Sequence, residues 1–172
     1  SSASLGAIGR AQQTIQKQIR ATRTDVNTRY GIWLSPDRPA WPWLVRHACW
    51  LLDRYQLKGN SKTCYEDAFG TSYSGSILLF LEVCLFRRPV SAVGTMTRGR
   101  RRQKGDNQWD KGVWLGKSHV SNEHILGTAA GTEMSRSVKR LPEPAQVSLE
   151  FLNTVVGLSL IHISEPTRHA VI

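Results

Sequence analysis

The side chains of this chain that could do chemistry are mostly cations, and the densest group lies within residues 87–104, a stretch without any acidic residue. Fixed cations on a polar loop can neutralise several phosphates, which gives binding of nucleic acid that weakens as salt is added. The alternatives are a merely solvated loop or a nuclear-localisation patch. The cations of this segment, the basic loop, are Arg87, Arg88, Arg98, Arg100, Arg101, Arg102 and Lys104.

Other chemistries find less support in the residue types and their spacing. Cys49, Cys64 and Cys84 are odd in number and form no Cys-x-x-Cys pair, which indicates reduced thiols and neither a disulfide framework nor a zinc site. His119 and His124 lie five residues apart with no cysteine nearby, so we expect no metal site there. No glycine-rich phosphate loop follows a predicted strand.

The overall charge points in the same direction as the basic loop. The chain has 172 residues, with 23 Lys and Arg against 13 Asp and Glu, a formal net charge of +10 and an isoelectric point near 10.1. Such a balance favours a polyanionic partner, nucleic acid first and an anionic membrane surface second. No apolar run approaches the roughly 18 residues of a membrane span. We therefore expect an intracellular protein, nuclear or cytoplasmic, with no membrane partner.

A long amphipathic helix is predicted for residues 6–30. Its apolar residues recur at spacings of three and four, its other face carries Gln and Arg, and Gly31 is well placed just past its end. The predicted buried stripe consists of Ile8, Ala11, Ile15, Ile19, Thr22, Val26 and Tyr30.

Two further helices should follow a rigid, proline-rich linker at residues 35–42. The first covers residues 42–56 and contains His47, which we expect to be partly buried and hydrogen-bonded. The second runs from Thr63 to Phe69, with Thr63 as its N-cap, Glu66 as the partner in a capping box and Gly70 at its end.

The second half of the chain reads as strands: residues 77–86, Gly112–Gly116, His124–Thr128 and Thr132–Leu141, with a tight turn at Ala130-Gly131. Helices first and strands afterwards predict an α+β protein built from two unlike units. Trp109 and Trp114 flank the basic loop on its C-terminal side. They could stack on bases, although tryptophan at strand positions more often belongs to the core.

Several short segments occur in a recognisable order: Leu5–Arg10 in the first helix, Trp50–Tyr55 in the second, then Lys62–Gly70, Gly112–Lys117 and Ser135–Val138. This order resembles the integrase region of long-terminal-repeat retrotransposon polyproteins, copia-type most of all. That family has Asn-Gly-x-x-Glu-Arg at the start of a core helix, then Lys-Thr-Pro-Tyr-Glu, and a small barrel containing Gly-x-x-Leu-Gly-Tyr and Ser-Arg-x-Val. The resemblance covers roughly residues 3–141.

The resemblance implies a fold and a division of the chain. Residues 1–75 would be the C-terminal part of a ribonuclease H-like catalytic core, and residues 76–141 a small Src-homology-like β-barrel carrying the basic loop. Residues 142–157 would be a linker.

The resemblance also implies an activity that this chain should lack. The family inserts DNA by strand transfer with Mg²⁺, and its reaction needs three carboxylates that hold two metal ions. The position that matches the helix glutamate is Gly9, which offers no ligand and costs about 1 kcal/mol in a helix interior. The two aspartates should lie upstream of Ser1. We therefore expect no catalytic residue, no metal site and no cofactor in this chain.

DNA, and RNA as a further option, are the partners that the resemblance implies, and the full-length parent can form oligomers. In the family the exposed face of the first helix lies beside the DNA end, so Arg10, Lys17, Arg20 and Arg23 become candidate phosphate contacts. The alternative for these residues is a solvated helix face. The alternative for the whole chain is a stand-alone basic nucleic-acid-binding module, and a third is half a core that forms no stable protein.

The C-terminal residues have a separate interpretation. Leu158–Arg168 reads as the translation of a common transposase-based sequencing adapter, and the chain begins with Ser1 where Met would be expected. We therefore expect a sequence that is truncated at both ends, with a non-biological tail at residues 158–172. Function is interpreted from Ser1 to about Gly157.

Overall fold

A computed structural model describes residues 2–88 and 108–156, with side chains from residue 6. Most of the basic loop and the proposed non-biological tail lie outside the described residues. The helices are α1 (Ser2–Tyr30), α2 (Trp41–Tyr55), α3 (Cys64–Phe69) and α4 (Leu149–Thr154), with a 3₁₀ turn at Glu143–Ala145. The strands are β1 (Val83–Arg87), β2 (Trp109–Lys117), β3 (His124–Thr128), β4 (Gly131–Ser135) and β5 (Val138–Arg140).

The helix ends follow local chemistry and agree with the sequence. Gly31 has a φ of +68°, which glycine adopts without a steric penalty, and its N–H donates to the carbonyl of Asn27 at 2.8 Å. In the capping box of α3, the Glu66 N–H donates to Thr63 Oγ1 at 3.0 Å and the Thr63 N–H donates to Glu66 Oε2 at 2.7 Å. Gly70 closes α3 in the left-handed conformation.

The five strands form one antiparallel sheet in the order β4-β3-β2-β1-β5. The β5 strand is only three residues long and pairs with β1, and within the described residues it does not pair with β4. The sheet is therefore open, and the prediction of a closed barrel is wrong for this part of the chain. A register shift between Trp114 and Gly116, where Gly116 has a φ of +129°, interrupts the regular pairing of β2 with β3.

Two predicted strands differ from the observed ones. Residues 77–82 are not a strand, because Leu81 has a φ of +65° and the chain turns there before β1 begins. The predicted strand Thr132–Leu141 is divided into β4 and β5 by a bend at Arg136. The turn before β4 consists of Ala129 and Ala130, one residue earlier than predicted, because Thr128 pairs directly with Gly131.

The main core is shared between the helices and one face of the sheet. Segment 142–157, interpreted as a linker, contributes α4 and two buried residues to this core. The alternate residues of the strands form a second, smaller core on the other face of the sheet, with Cys84, Phe86, Trp114 and Leu126 among its members. The buried residues of the main core are Val26, Leu34, Ala40, Leu44, Phe80, Leu81, Val83, Val113, Leu115, Ile125, Leu152 and Val155.

Only part of the predicted stripe on α1 is covered. Val26 is fully buried and Ile19 packs against the main core, whereas Ile8 is 65% exposed. Gln18 lies beside Leu51 and Leu52 in the second half of α2. Residues 6–13 are all exposed except for the half-exposed Gly9. We call residues 6–18 the arm of α1 and residues 19–30 its packed half.

The last two residues of α1 fix the helix to the chain just before β1. Arg29 Nη2 donates to the carbonyl of Phe80 and the Tyr30 hydroxyl donates to the carbonyl of Leu81, each at 2.6 Å. Burial raises the pKa of Tyr30 to about 12, so the hydroxyl remains a donor at neutral pH. No helix of the described part is both long and apolar enough to cross a membrane.

Candidate nucleic-acid interface

The exposed side of α1 is strongly cationic. Arg10, Lys17 and Arg20 are all exposed, and the first acidic residue of the chain is Asp25. Asp25 Oδ2 lies 2.6 Å from Arg29 Nη2, one turn later in the helix. The charge of Asp25 is therefore paired with Arg29 and not with Arg10, Lys17 or Arg20. Lys17 and Arg20 line one shallow depression together with Ala21 and Thr24. The predicted phosphate contacts of α1 are therefore sterically accessible.

Arg23 differs from the other predicted contacts because it lies among aromatic rings. Its guanidinium carbon is 4.1 Å from the ring centroid of Trp33 and 5.2 Å from that of Trp41. The Arg23 side chain is half-buried, and Trp33 is 54% exposed. Cation–π attraction of this kind holds both partners in place. The structure thus joins the C-terminal end of the basic face of α1 to an exposed tryptophan, which sequence reasoning missed.

Gly9 is the position at which the resemblance expects a catalytic glutamate. A Cβ atom built there would meet no atom within 4 Å, so a larger side chain would fit without displacing its surroundings. Among the described side chains, no group of three or more His, Cys, Asp or Glu residues could hold a metal ion. A glutamate at position 9 would thus have no acidic partner among the described residues with which to bind a metal ion.

One of the two described cations of the basic loop, Arg88, is already engaged in ion pairs. Arg88 Nε lies 3.0 Å from Asp110 Oδ2, and Arg88 Nη2 lies 3.0 Å from Glu133 Oε1. The loop has no internal acid, as predicted, but β2 and β4 supply acids from outside it. Arg88 is therefore not a free cation, whereas the Arg87 side chain is exposed. The remaining predicted contacts, Arg98, Arg100, Arg101, Arg102 and Lys104, lie outside the described residues.

The two tryptophans beside the basic loop have different surroundings. Trp114 is fully buried and its indole N–H donates to His124 Nδ1 at 3.0 Å, so it cannot stack on a base. Trp109 is half-buried, with Lys139 Nζ 4.3 Å from its ring centroid. The core interpretation of Trp114 is confirmed.

Arg54 is a further cation whose charge is used internally. It is 5% exposed, lies 4.4 Å above the Trp50 ring and pairs with Asp53 at 2.8 Å. Tyr65 and Tyr73 complete the aromatic surroundings of its guanidinium. Arg54 is therefore part of the packing and is not a candidate phosphate contact.

Two histidines are buried close to Trp114. The His47 ring lies 5.2 Å from that of Trp114, and His47 Nδ1 has no hydrogen-bond partner among the described residues. Burial lowers the pKa of His47 to about 4. Burial, and then the charge of Lys117, lower the pKa of His124 to about 4. Both side chains are therefore neutral at physiological pH and contribute no charge to an anion site.

Comparisons with protein-family models, with curated proteins and with solved structures find no match to this chain.

Proposed function

We propose that this chain binds nucleic acid without reading its sequence, through phosphates held on the exposed face of α1. One observation carries the proposal: Arg10, Lys17 and Arg20 are exposed on α1, and the first 24 residues of the chain contain no acid. Phosphate contacts of this type position a nucleic acid but do not distinguish bases. The net charge of +10 strengthens long-range attraction to any polyanion.

We further propose that the chain derives from a retrotransposon integrase and has lost catalysis. The motif order supports the descent. Gly9 supports the loss of activity. We expect no Mg²⁺-dependent strand transfer on any DNA end, and Gly9→Glu alone should not restore it. Metal-dependent strand transfer that a chelator abolishes would contradict the proposed loss of catalysis.

The second candidate is a stand-alone nucleic-acid-binding module. The observation that favours it is the shared core, because Val26 and Leu44 of the helices pack with Val83 and Leu115 of the sheet. Half of a larger core would leave this helix surface uncovered. An upstream reading frame with two core aspartates and a downstream reverse transcriptase would favour the integrase origin.

The test of binding is a salt titration monitored by fluorescence anisotropy on two unrelated duplexes. We expect similar affinities for both, with log affinity falling by about 0.9 per neutralised phosphate for each log unit of salt. The variant Lys17→Ala/Arg20→Ala should flatten the slope by about 2 units. The matched control, Lys62→Ala/Arg136→Ala, removes the same charge from exposed positions elsewhere and should leave the slope nearly unchanged.

A third variant separates α1 from the basic loop. If Arg100→Ala/Arg101→Ala/Arg102→Ala flattens the slope and the α1 variant does not, the site belongs to the basic loop. If the parent chain binds neither duplex at low salt, the proposed function is wrong.

A further inference from the structure

The loop after α1 contains an exposed tryptophan whose position the core does not explain. Trp33 is 54% exposed, whereas its neighbour Leu34 is buried in the main core. Because Leu34 anchors the loop, Trp33 is held on the opposite side, towards solvent. Exposure alone does not distinguish Trp33 from other exposed apolar side chains such as Phe69, but its position beside the cations of α1 makes it a candidate contact for a flat partner group.

The ring of Trp33 is fixed from one side. The guanidinium of Arg23 covers one face at 4.1 Å from the centroid, and the same group lies 5.2 Å from the centroid of Trp41. More than half of the Trp33 side chain remains exposed beside this contact. A ring that is already oriented loses little freedom when a second flat group stacks on it.

The chemistry next to this ring selects the kind of flat group. Arg20 precedes Arg23 by one helical turn, about 4.5 Å along the axis, and Lys17 shares a depression with Arg20. A strand whose phosphate lies on Arg20 can place an adjacent base over Trp33. Bases within a duplex are stacked on one another and cannot reach such a ring, whereas bases of a single strand can.

We infer that Trp33 is a stacking platform for one unpaired base of a single-stranded nucleic acid whose phosphates lie on Arg20 and Lys17. This inference rests on the proposed function and adds a preference for single strands or frayed ends. Stacking on an aromatic ring tolerates every base, so the preference concerns the presence of a base and not its identity.

The experiment compares three ligands of equal length, about ten nucleotides: oligothymidylate, an abasic strand with the same backbone, and a duplex. We expect the parent chain to bind oligothymidylate at least about five-fold more tightly than the abasic strand. Trp33→Leu should reduce this ratio to about one and leave the salt slope unchanged, because no charge is removed. Trp33→Phe should keep most of the ratio, since it keeps an aromatic face.

The control variant is Phe69→Leu, which removes an exposed aromatic ring from α3. It should keep the full ratio, and the thermal midpoints of all variants should show that they are folded. The inference is overturned if the parent chain does not prefer oligothymidylate to the abasic strand. It is also overturned if the Trp33→Leu variant keeps that preference. In either case the salt slope of Lys17→Ala/Arg20→Ala still tests phosphate binding separately. A parent chain that binds no ligand at low salt would overturn both proposals.

Discussion

The two halves of α1 have the same sequence pattern but different surroundings. In the packed half, Val26 is fully buried and Ile19 packs against the main core. In the arm, Ile8 occupies the same stripe and is 65% exposed. Apolar periodicity thus specifies a helix and its apolar face, whereas burial depends on what the rest of the chain places against that face. Here α2 and the main core cover the packed half and only the last residues of the arm, near Gln18.

The largest expected difference between the two halves is in amide hydrogen exchange. Residues 22–30 are tied to the chain just before β1 through Arg29 and Tyr30, so they should open only with the fold. Residues 6–13 have no tertiary cover and should fray. We expect protection factors in the two segments to differ by at least about a thousand-fold, because local opening ranges from near zero free energy to that of global unfolding. Uniformly slow exchange along α1 in a monomer would show that the arm is covered after all.

Acid should reduce this difference in exchange, because it weakens the fold against which the packed half lies and leaves the already exposed residues 6–13 unchanged. The pKa of His47 and of His124 is lowered to about 4 in the folded protein, against about 6.5 in an unfolded chain. Between these values the unfolded chain binds protons that the folded chain does not, so stability falls as pH falls from about 6.5 to 4. From pH 7 to pH 5 the loss should be about 2 kcal/mol for each histidine.

Urea unfolding at the two pH values measures this loss. His47→Leu should remove about half of the pH dependence, because it removes one of the two buried bases. His119→Ala is the comparison: burial and the charges of Arg54 and Arg46 lower the pKa of His119 less strongly than those of the two buried histidines, so it should remove a smaller part of the pH dependence. Equal stability at pH 7 and pH 5 would mean that the buried histidines already have water or another partner.

A matched pair of substitutions gives the smallest and most direct comparison of the two halves. Ile19→Ala removes apolar atoms that pack against the main core and should cost about 1–2 kcal/mol. Ile8→Ala removes the same atoms from an exposed position and should change the free energy of unfolding by less than about 0.5 kcal/mol. Alanine also favours the helix slightly, so Ile8→Ala could even be stabilising. Equal costs at the two positions would indicate that the arm is buried against a partner in solution.

The ends of α1 and α3 were predicted well from the sequence. The capping box of Thr63 and Glu66 and the glycine ends of α1 and α3 involve residues a few positions apart, so their hydrogen bonds depend little on the rest of the chain. The bounds of β3 were also correct. The run from residue 77 to 86 was less well predicted, because the positive φ of Leu81 is a tertiary effect in an otherwise apolar stretch.

The candidate site was predicted in part for the same reason. Exposure of Arg10, Lys17 and Arg20 follows from the helical period of their own segment. The pairing of Arg88 with Glu133 joins residues 45 positions apart, and no local pattern indicates it. The contact of Arg23 with Trp33 depends on how the chain turns after Gly31. A tryptophan between a glycine and a proline-rich linker was the only available signal for it.

The two hydrogen bonds that tie Arg29 and Tyr30 to the chain before β1 also have a mechanical consequence. Arg10 lies 20 residues before Tyr30, or about 30 Å along the helix, so each degree of tilt at this attachment moves the Arg10 Cα by about 0.5 Å. The helix thus acts as a lever with its pivot at the carbonyls of Phe80 and Leu81. A ligand held near Arg10 would therefore exert a torque on the residues before β1, and the packing of Ile19 and Val26 in the main core would resist the tilt.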